Sequence, residues 1–154
     1  MNFNPKNQDN VFSLAWRFIT KNPEKLTTIR IIFLSAWYRF RILTVKMSKL
    51  QKTFGIRDEE SPRELDIEDQ KCAYRIGMRV EHTCNRTPWQ SKCLVKALTA
   101  SHLLKKRGIS HTLYLGVGQN DSKMIAHAWL RSGRLYVTGG NGSNYSMVAK
   151  FCNK

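Results

Sequence analysis

Residues 89–108 read WQSKCLVKALTASHLLKKRG, and the reading of this stretch decides the fold. Ser91 suits a helix N-cap. Lys105-Lys106-Arg107 suit the negative end of a helix dipole, and Gly108 stops the helix. Leu94, Ala97, Leu98, Ser101 and Leu104 recur at helical spacing as an inward face. Past Gly108 the period changes to that of strands: His111 to Gly118, Met124 to Arg131, Arg134 to Thr138 and Met147 to Cys152. Asn120-Asp121-Ser122 and Ser132-Gly133 lie between them as hairpin turns. A helix followed by an antiparallel meander of about four strands predicts an α+β domain.

Upstream the chain is helical. Asn22, Pro23 and Glu24 form a start signal, and Leu26, Ile29, Phe33, Ala36, Phe40, Leu43, Met47 and Leu50 alternate spacings of three and four. That pattern predicts one long helix packing its stripe on the domain, with Trp37, Ile32 and Ile42 widening it. Val11 to Ile19 allows one earlier helical turn. Ser61-Pro62-Arg63-Glu64 has the form of a capping box, so a second helix is expected from there to about Val80, before Thr87-Pro88 breaks the chain.

The chain has 154 residues and a formal net charge of +15, which points to an acidic partner surface. A basic nucleic-acid-binding module is the rival reading, but no zinc-knuckle or RNP-like signature supports it, so no specific nucleic acid is expected. The most apolar segment, Ile29 to Val45, is interrupted by Arg30, Arg39 and Arg41, and membrane association is not expected. No secretion signal is visible. The four cysteines form no CxxC pair and match no zinc spacing, so reduced thiols, a cytoplasmic protein and no metal or cofactor are expected.

Cys93 falls at the start of the helix, where outward N–H groups and the dipole favour a thiolate, the reactive form. A thiol nucleophile needs a base. His102 lies nine residues on, about half a turn around the same helix. His82 precedes the Pro88 break, and His111 opens a strand at the helix's far end. His127, in the middle of a strand of the covering sheet, is the best candidate.

Two segments together carry a family resemblance. Trp89-Gln90-Ser91-Lys92-Cys93-Leu94-Val95-Lys96-Ala97-Leu98, continuing through Ile109, resembles the nucleophile motif of the leader peptidases of lasso-peptide biosynthesis. Ala126-His127-Ala128-Trp129-Leu130, with Tyr136-Val137-Thr138-Gly139-Gly140 behind it, resembles their histidine strand and the next. The match runs from about Thr87 to Phe151. It implies a transglutaminase-like, papain-related fold, with an N-terminal helical region over residues 1–60 packing on a cysteine protease core over 61–154 as one compact domain. It further implies an endopeptidase that removes the leader from a ribosomally made precursor peptide, before an ATP-dependent enzyme closes the macrolactam ring. No fused leader-binding domain is visible, so a separate leader-binding protein is the implied partner.

On that reading Cys93 attacks the scissile carbonyl, His127 moves the protons, and the Cys93 N–H faces the oxyanion, with Gln90 or the Trp89 indole as second donor. The family places an aspartate on the strand after the histidine strand. Counting back from a Ser132-Gly133 turn pairs Arg131 with Arg134 and His127 with Thr138, so Thr138 stands where that aspartate is expected. A hydroxyl can orient imidazole but brings no charge. Asp121, the one carboxylate side chain after Glu81, suits its turn, and Asn141 or Asn144 could fold back instead. Acyl transfer to an amine, by the same thioester, is the alternative reaction within this fold.

Overall fold

A computed structural model describes residues 23–120 and 123–154. The Val11 to Ile19 turn, the Asn22 cap and Asp121 lie outside the described residues. The elements run α1 (Pro23–Thr44), α2 (Met47–Leu50), a 3-10 turn (Gln51–Thr53), β1 (Ile56–Arg57), α3 (Ile67–Cys84), α4 (Cys93–Lys105), β2 (His111–Asn120), β3 (Lys123–Ser132), β4 (Leu135–Thr138) and β5 (Ser146–Asn153). The five strands form one antiparallel sheet in the order β1-β5-β2-β3-β4. The expected α+β architecture is therefore present, with the two-residue β1 as an added edge strand that the sequence pattern did not reveal.

Helix α4 is the centre of the molecule. It packs on α1 and α3 on one side and on β2, β3 and β4 on the other. Val95, Ala97, Leu98, Thr99, Ala100, Ser101, Leu103 and Leu104 are all buried, so the burial goes around the helix rather than along one stripe. A helix packed between two layers is apolar over most of its surface, and here the polar exceptions are Lys96, half-buried, and His102 and Lys105, exposed. Ala97 and Ala100, both fully buried, let the neighbouring layers approach its backbone.

Helix α1 shows where periodicity misleads. Its inward residues are Ile31 and Ser35, fully buried, with Leu34, Tyr38, Ile42 and Val45 packed against the core. The expected stripe points the other way: Phe33 is 72% exposed, Phe40 58% and Leu43 66%. The helix carries apolar residues on two faces, and a 3.6-residue period cannot say which one meets the domain. The helix also ends at Thr44 rather than running to Leu50. The chain bends at Val45-Lys46 before the single turn of α2, which returns Leu50 to the core.

The Ser61–Glu64 capping box is not one. Helix α3 starts at Ile67 after Asp66, and it runs on to Cys84 rather than Val80. The Ser61 backbone N–H and hydroxyl both bond the Thr112 hydroxyl on β2, at 2.8 and 2.9 Å. A tertiary partner has captured the local capping group. The same segment is stitched to β3 by Arg131, buried beneath Tyr114. Its guanidinium donates to the Tyr114 hydroxyl at 2.9 Å and to the Ser61 carbonyl at 3.0 Å, and pairs with Glu60 at 3.3 Å. Partial burial works to raise the Glu60 carboxyl, but Lys150 and Arg131 outweigh it and hold the group below its ordinary value.

Candidate active site

Cys93 is the first residue of α4. The N-cap is Lys92, not Ser91 as the sequence suggests, and it makes no capping hydrogen bond. Ser91 instead bonds Thr87 across the preceding turn at 2.8 Å. The first intrahelical bond runs from the Lys96 N–H to the Lys92 carbonyl at 3.1 Å. The N–H groups of Cys93, Leu94 and Val95 precede it and have no acceptor within the helix. An uncapped start leaves those donors for whatever sits at the thiol.

Cys93 opens into a cavity of about 550 Å³ formed between α3, the start of α4 and the end of β4. Its wall includes Tyr74, Gly77, Met78, Lys92, Cys93, His127, Thr138 and Gly139. Gly77 is required there, because a side-chain carbon on it would lie within contact radius of the Val137 carbonyl of β4. Glu81 and Lys96, also in the wall, form an ion pair, and Lys96 donates further to Asn85.

His127 lies on β3 opposite Gly116 of β2 and reaches the same cavity. Its ring is stacked between Tyr145, with centroids 4.4 Å apart, and Trp129 at 6.0 Å. Trp129 is itself stacked on Tyr114 at 5.4 Å. Two aromatic neighbours, one of them backed by Tyr114, restrict the rotation of the imidazole. Gly116, Gly118 and Gly142 make the stack possible, since a side-chain carbon at any of them would collide with the Trp129 or Tyr145 ring.

The imidazole's hydrogen-bond partner is the Gly139 carbonyl, which accepts from Nε2 at 2.7 Å. Counting residues back from the turn puts Thr138 opposite His127, and the structure does not. The structure pairs Ser132 with Leu135 and Arg131 with Tyr136, then shifts at a bulge so that Thr138 faces Leu130. The physical reason is the turn. Gly133, at φ +58°, and Arg134 make a two-residue loop, which moves the pairing by two positions from the count, and the bulge adds one more. Strand β4 has stopped pairing before it reaches His127, and the chain turns away at Gly139 with φ +77°. Thr138 does line the cavity, but its buried hydroxyl has no hydrogen-bond partner among the described residues.

Of the expected oxyanion donors, Cys93 lies in the cavity wall, but neither candidate for the second, Trp89 or Gln90, does. The Trp89 indole N–H donates to the Ser35 hydroxyl of α1 at 3.3 Å, and Gln90 is exposed in the turn before α4. Asn141 accepts the Ser143 N–H within its own loop, and Asn144 is exposed. The sequence reading missed Gly139 and Tyr145. The signal for the first was present in the Thr138-Gly139-Gly140 break after a short strand; nothing local marks Tyr145.

The other histidines do separate work. His111 is fully buried. Its Nδ1–H donates to the Ile109 carbonyl at 2.8 Å, and its Nε2 accepts from Ser101 of α4 at 2.8 Å, tying helix to sheet. His102 Nδ1 and the Tyr38 hydroxyl share a hydrogen bond at 3.2 Å. All four cysteines are free, and burial pushes the Cys84 and Cys152 thiols up. Among the described residues no cluster of His, Cys, Asp and Glu could hold a metal ion, and no helix is long and apolar enough to cross a membrane.

A family model described as the transglutaminase-like superfamily matches residues 37–150, a span that contains α4, the whole of β2, β3 and β4, and every residue of the cavity named above. No curated protein and no solved structure matches the chain. The chain belongs to the transglutaminase-like superfamily, whose members are in general cysteine-type hydrolases and transferases.

Proposed function

We propose that this transglutaminase-like chain is a cysteine endopeptidase that removes the leader from a ribosomally made lasso precursor peptide. The observation that carries the reading is the His127 hydrogen bond. A carbonyl oxygen can only accept, so Nε2 carries a proton; in the neutral ring Nδ1 then keeps its lone pair, and His127 lines the cavity into which Cys93 opens. That is the tautomer a general base needs. The uncapped N–H groups at the start of α4 supply donors for an oxyanion beside the same thiol.

In this mechanism the Nδ1 atom of His127 takes the Cys93 proton, and the sulfur adds to the scissile carbonyl. Collapse of the tetrahedral species expels the amine, which leaves with the proton from His127, and a thioester joins Cys93 to the leader's new C-terminus. Water then attacks the thioester, giving its proton to His127, and the thiol is restored. The Gly139 carbonyl orients the imidazole and, as a dipole without formal charge, helps the imidazolium less than a carboxylate would.

The choice of a lasso precursor rests on the paired motifs around Cys93 and His127. The implied partners are the precursor's leader region, a separate leader-binding protein that presents it, and the ATP-dependent ring-forming enzyme that consumes the product. The +15 charge suits an acidic leader or carrier. Mass spectrometry of the precursor incubated with the chain and the leader-binding protein tests the reading. A leader fragment ending in a free carboxylate, absent with Cys93→Ala, is expected. A fragment joined to an added amine would assign acyl transfer instead, and tight nucleic-acid binding with no cleavage would remove the peptidase reading.

A further inference from the structure

Strand β3 is covered on one side along its whole length and on the other for only part of it. Its register with β2 is unbroken from Lys123 to Arg131. Its register with β4 covers only Leu130 to Ser132. Between the open end of the sheet and His127, the side of β3 away from β2 has no strand beside it among the described residues.

The direction of the backbone groups follows from the two hairpins. In a hairpin with a two-residue loop, the residues flanking the loop exchange both of their backbone hydrogen bonds. Lys123 pairs with Asn120 across one such loop, and Ser132 pairs with Leu135 across another. The odd-numbered residues of β3 therefore aim their N–H and C=O at β2, and the even-numbered ones aim theirs at the β4 side. Gly139 confirms the parity independently: a side-chain carbon on it would meet the Ala128 carbonyl, so that carbonyl points to the β4 side. Met124 and Ala126 accordingly hold their N–H and C=O toward the open edge. Both residues are exposed, Met124 at 81%.

An open, partly apolar strand edge invites pairing, and proteins usually blunt such edges with charge, proline or a cover. Here the only charged residue on the open stretch is Lys123, at its tip. The edge also leads directly to the site. The next even-numbered residue after Ala126 is Ala128, packed under Gly139, and the residue between them is His127.

We propose that an extended stretch of the peptide substrate pairs with this edge as an added strand, bonding through its main chain to Met124 and Ala126 and continuing the place in the sheet that β4 vacates. Its side chains alternate between the face of Met124 and the face of Ile125 and His127, so main-chain pairing supplies affinity and these two apolar residues supply selectivity. The pairing fixes the direction in which the scissile carbonyl enters the Cys93 cavity. This rests on Cys93 and His127 being the reacting pair.

The experiment uses the full chain and two alkylating reagents that each form a carbon–sulfur bond at Cys93 and release chloride: chloroacetamide, which has no peptide backbone to pair, and acetyl-tetra-alanyl chloromethyl ketone, which is nearly all backbone. Each rate is divided by that reagent's rate with free cysteine. The tetra-alanyl reagent is expected to gain about tenfold or more, the size of one or two net hydrogen bonds. Moving a single N-methyl group along its alanines should remove the gain at alternate positions and keep it at the positions between. Met124→Pro removes an edge N–H without touching the β2 ladder, and should lower the ratio of the two normalised rates. Equal normalised rates, or N-methyl losses with no alternation, overturn the proposal, and the scan decides it even if the proline variant does not fold. The reading of Cys93 fails separately if chloroacetamide labels another cysteine first and cleavage survives.

Discussion

The Nε2–H of His127 donates to the carbonyl oxygen of Gly139 at 2.7 Å, across the point where β4 has ceased to pair with β3. Gly139 holds a left-handed φ of +77°, and a side-chain carbon there would press on the Ala128 carbonyl and on Trp129. Gly139→Ala therefore combines backbone strain with a collision. It should cost about 1–3 kcal/mol of stability and, by moving the carbonyl off Nε2, lower kcat by about tenfold or more. Denaturant unfolding and cleavage kinetics on the same preparation separate the two effects. A stable variant with unchanged kcat would show that the Gly139 carbonyl does not position the ring.

Thiol reactivity should rank the cysteines. Cys93 lies at an uncapped helix start in an open cavity, whereas Cys84 and Cys152 are buried and their thiols are pushed up by desolvation. Iodoacetamide at neutral pH, followed by peptide mapping, should find Cys93 modified well before Cys84 or Cys152, and activity lost in step with that one modification.

Thr138 gives a test of register. Its hydroxyl is buried without a partner among the described residues, and it faces Leu130 rather than His127. Thr138→Val keeps the shape and removes an unsatisfied polar group, so stability should hold or rise by up to about 1 kcal/mol. A marked fall in kcat with the fold intact would instead place the hydroxyl at the imidazole, in the role that counting from the turn had assigned it.

Acid should weaken the fold through His111. Burial, the largest influence, and Lys105 hold its imidazole below the ordinary value of 6.5, while the bond to Ile109 works against them. The unfolded chain then binds more protons, so the stabilising contribution is full above pH 6.5 and is lost as pH falls through the depressed folded value. His102, lowered by burial and by Lys106 and Lys105, acts in the same direction. Urea midpoints measured from pH 7.5 to 5 should fall, the unfolding free energy dropping by at most about 1.4 kcal/mol per pH unit for each proton taken up, and His111→Gln should flatten the slope at a lower starting stability. A midpoint that rises over this range would exclude a neutral buried His111.

The sequence by itself determined the fold class and the places of Cys93 and His127 within it. The change from helical to alternating period at Gly108 was enough for the α+β class, because those periods follow from backbone geometry. Cys93 at a helix start and His127 within a strand were legible for the same local reason. What only the tertiary structure decided was the relation between elements. Helix α1 has two apolar faces, and its packing on α3 and α4 chose the face of Ile31 and Ser35 over that of Phe33 and Phe40. Ser61 has the form of a cap and is instead bound by Thr112, fifty-one residues away. Thr138 missed His127 because a loop and one bulged residue shifted the ladder by amounts that no local composition encodes, and the ring's partner became a main-chain carbonyl, a group that every residue possesses and that no sequence pattern can mark.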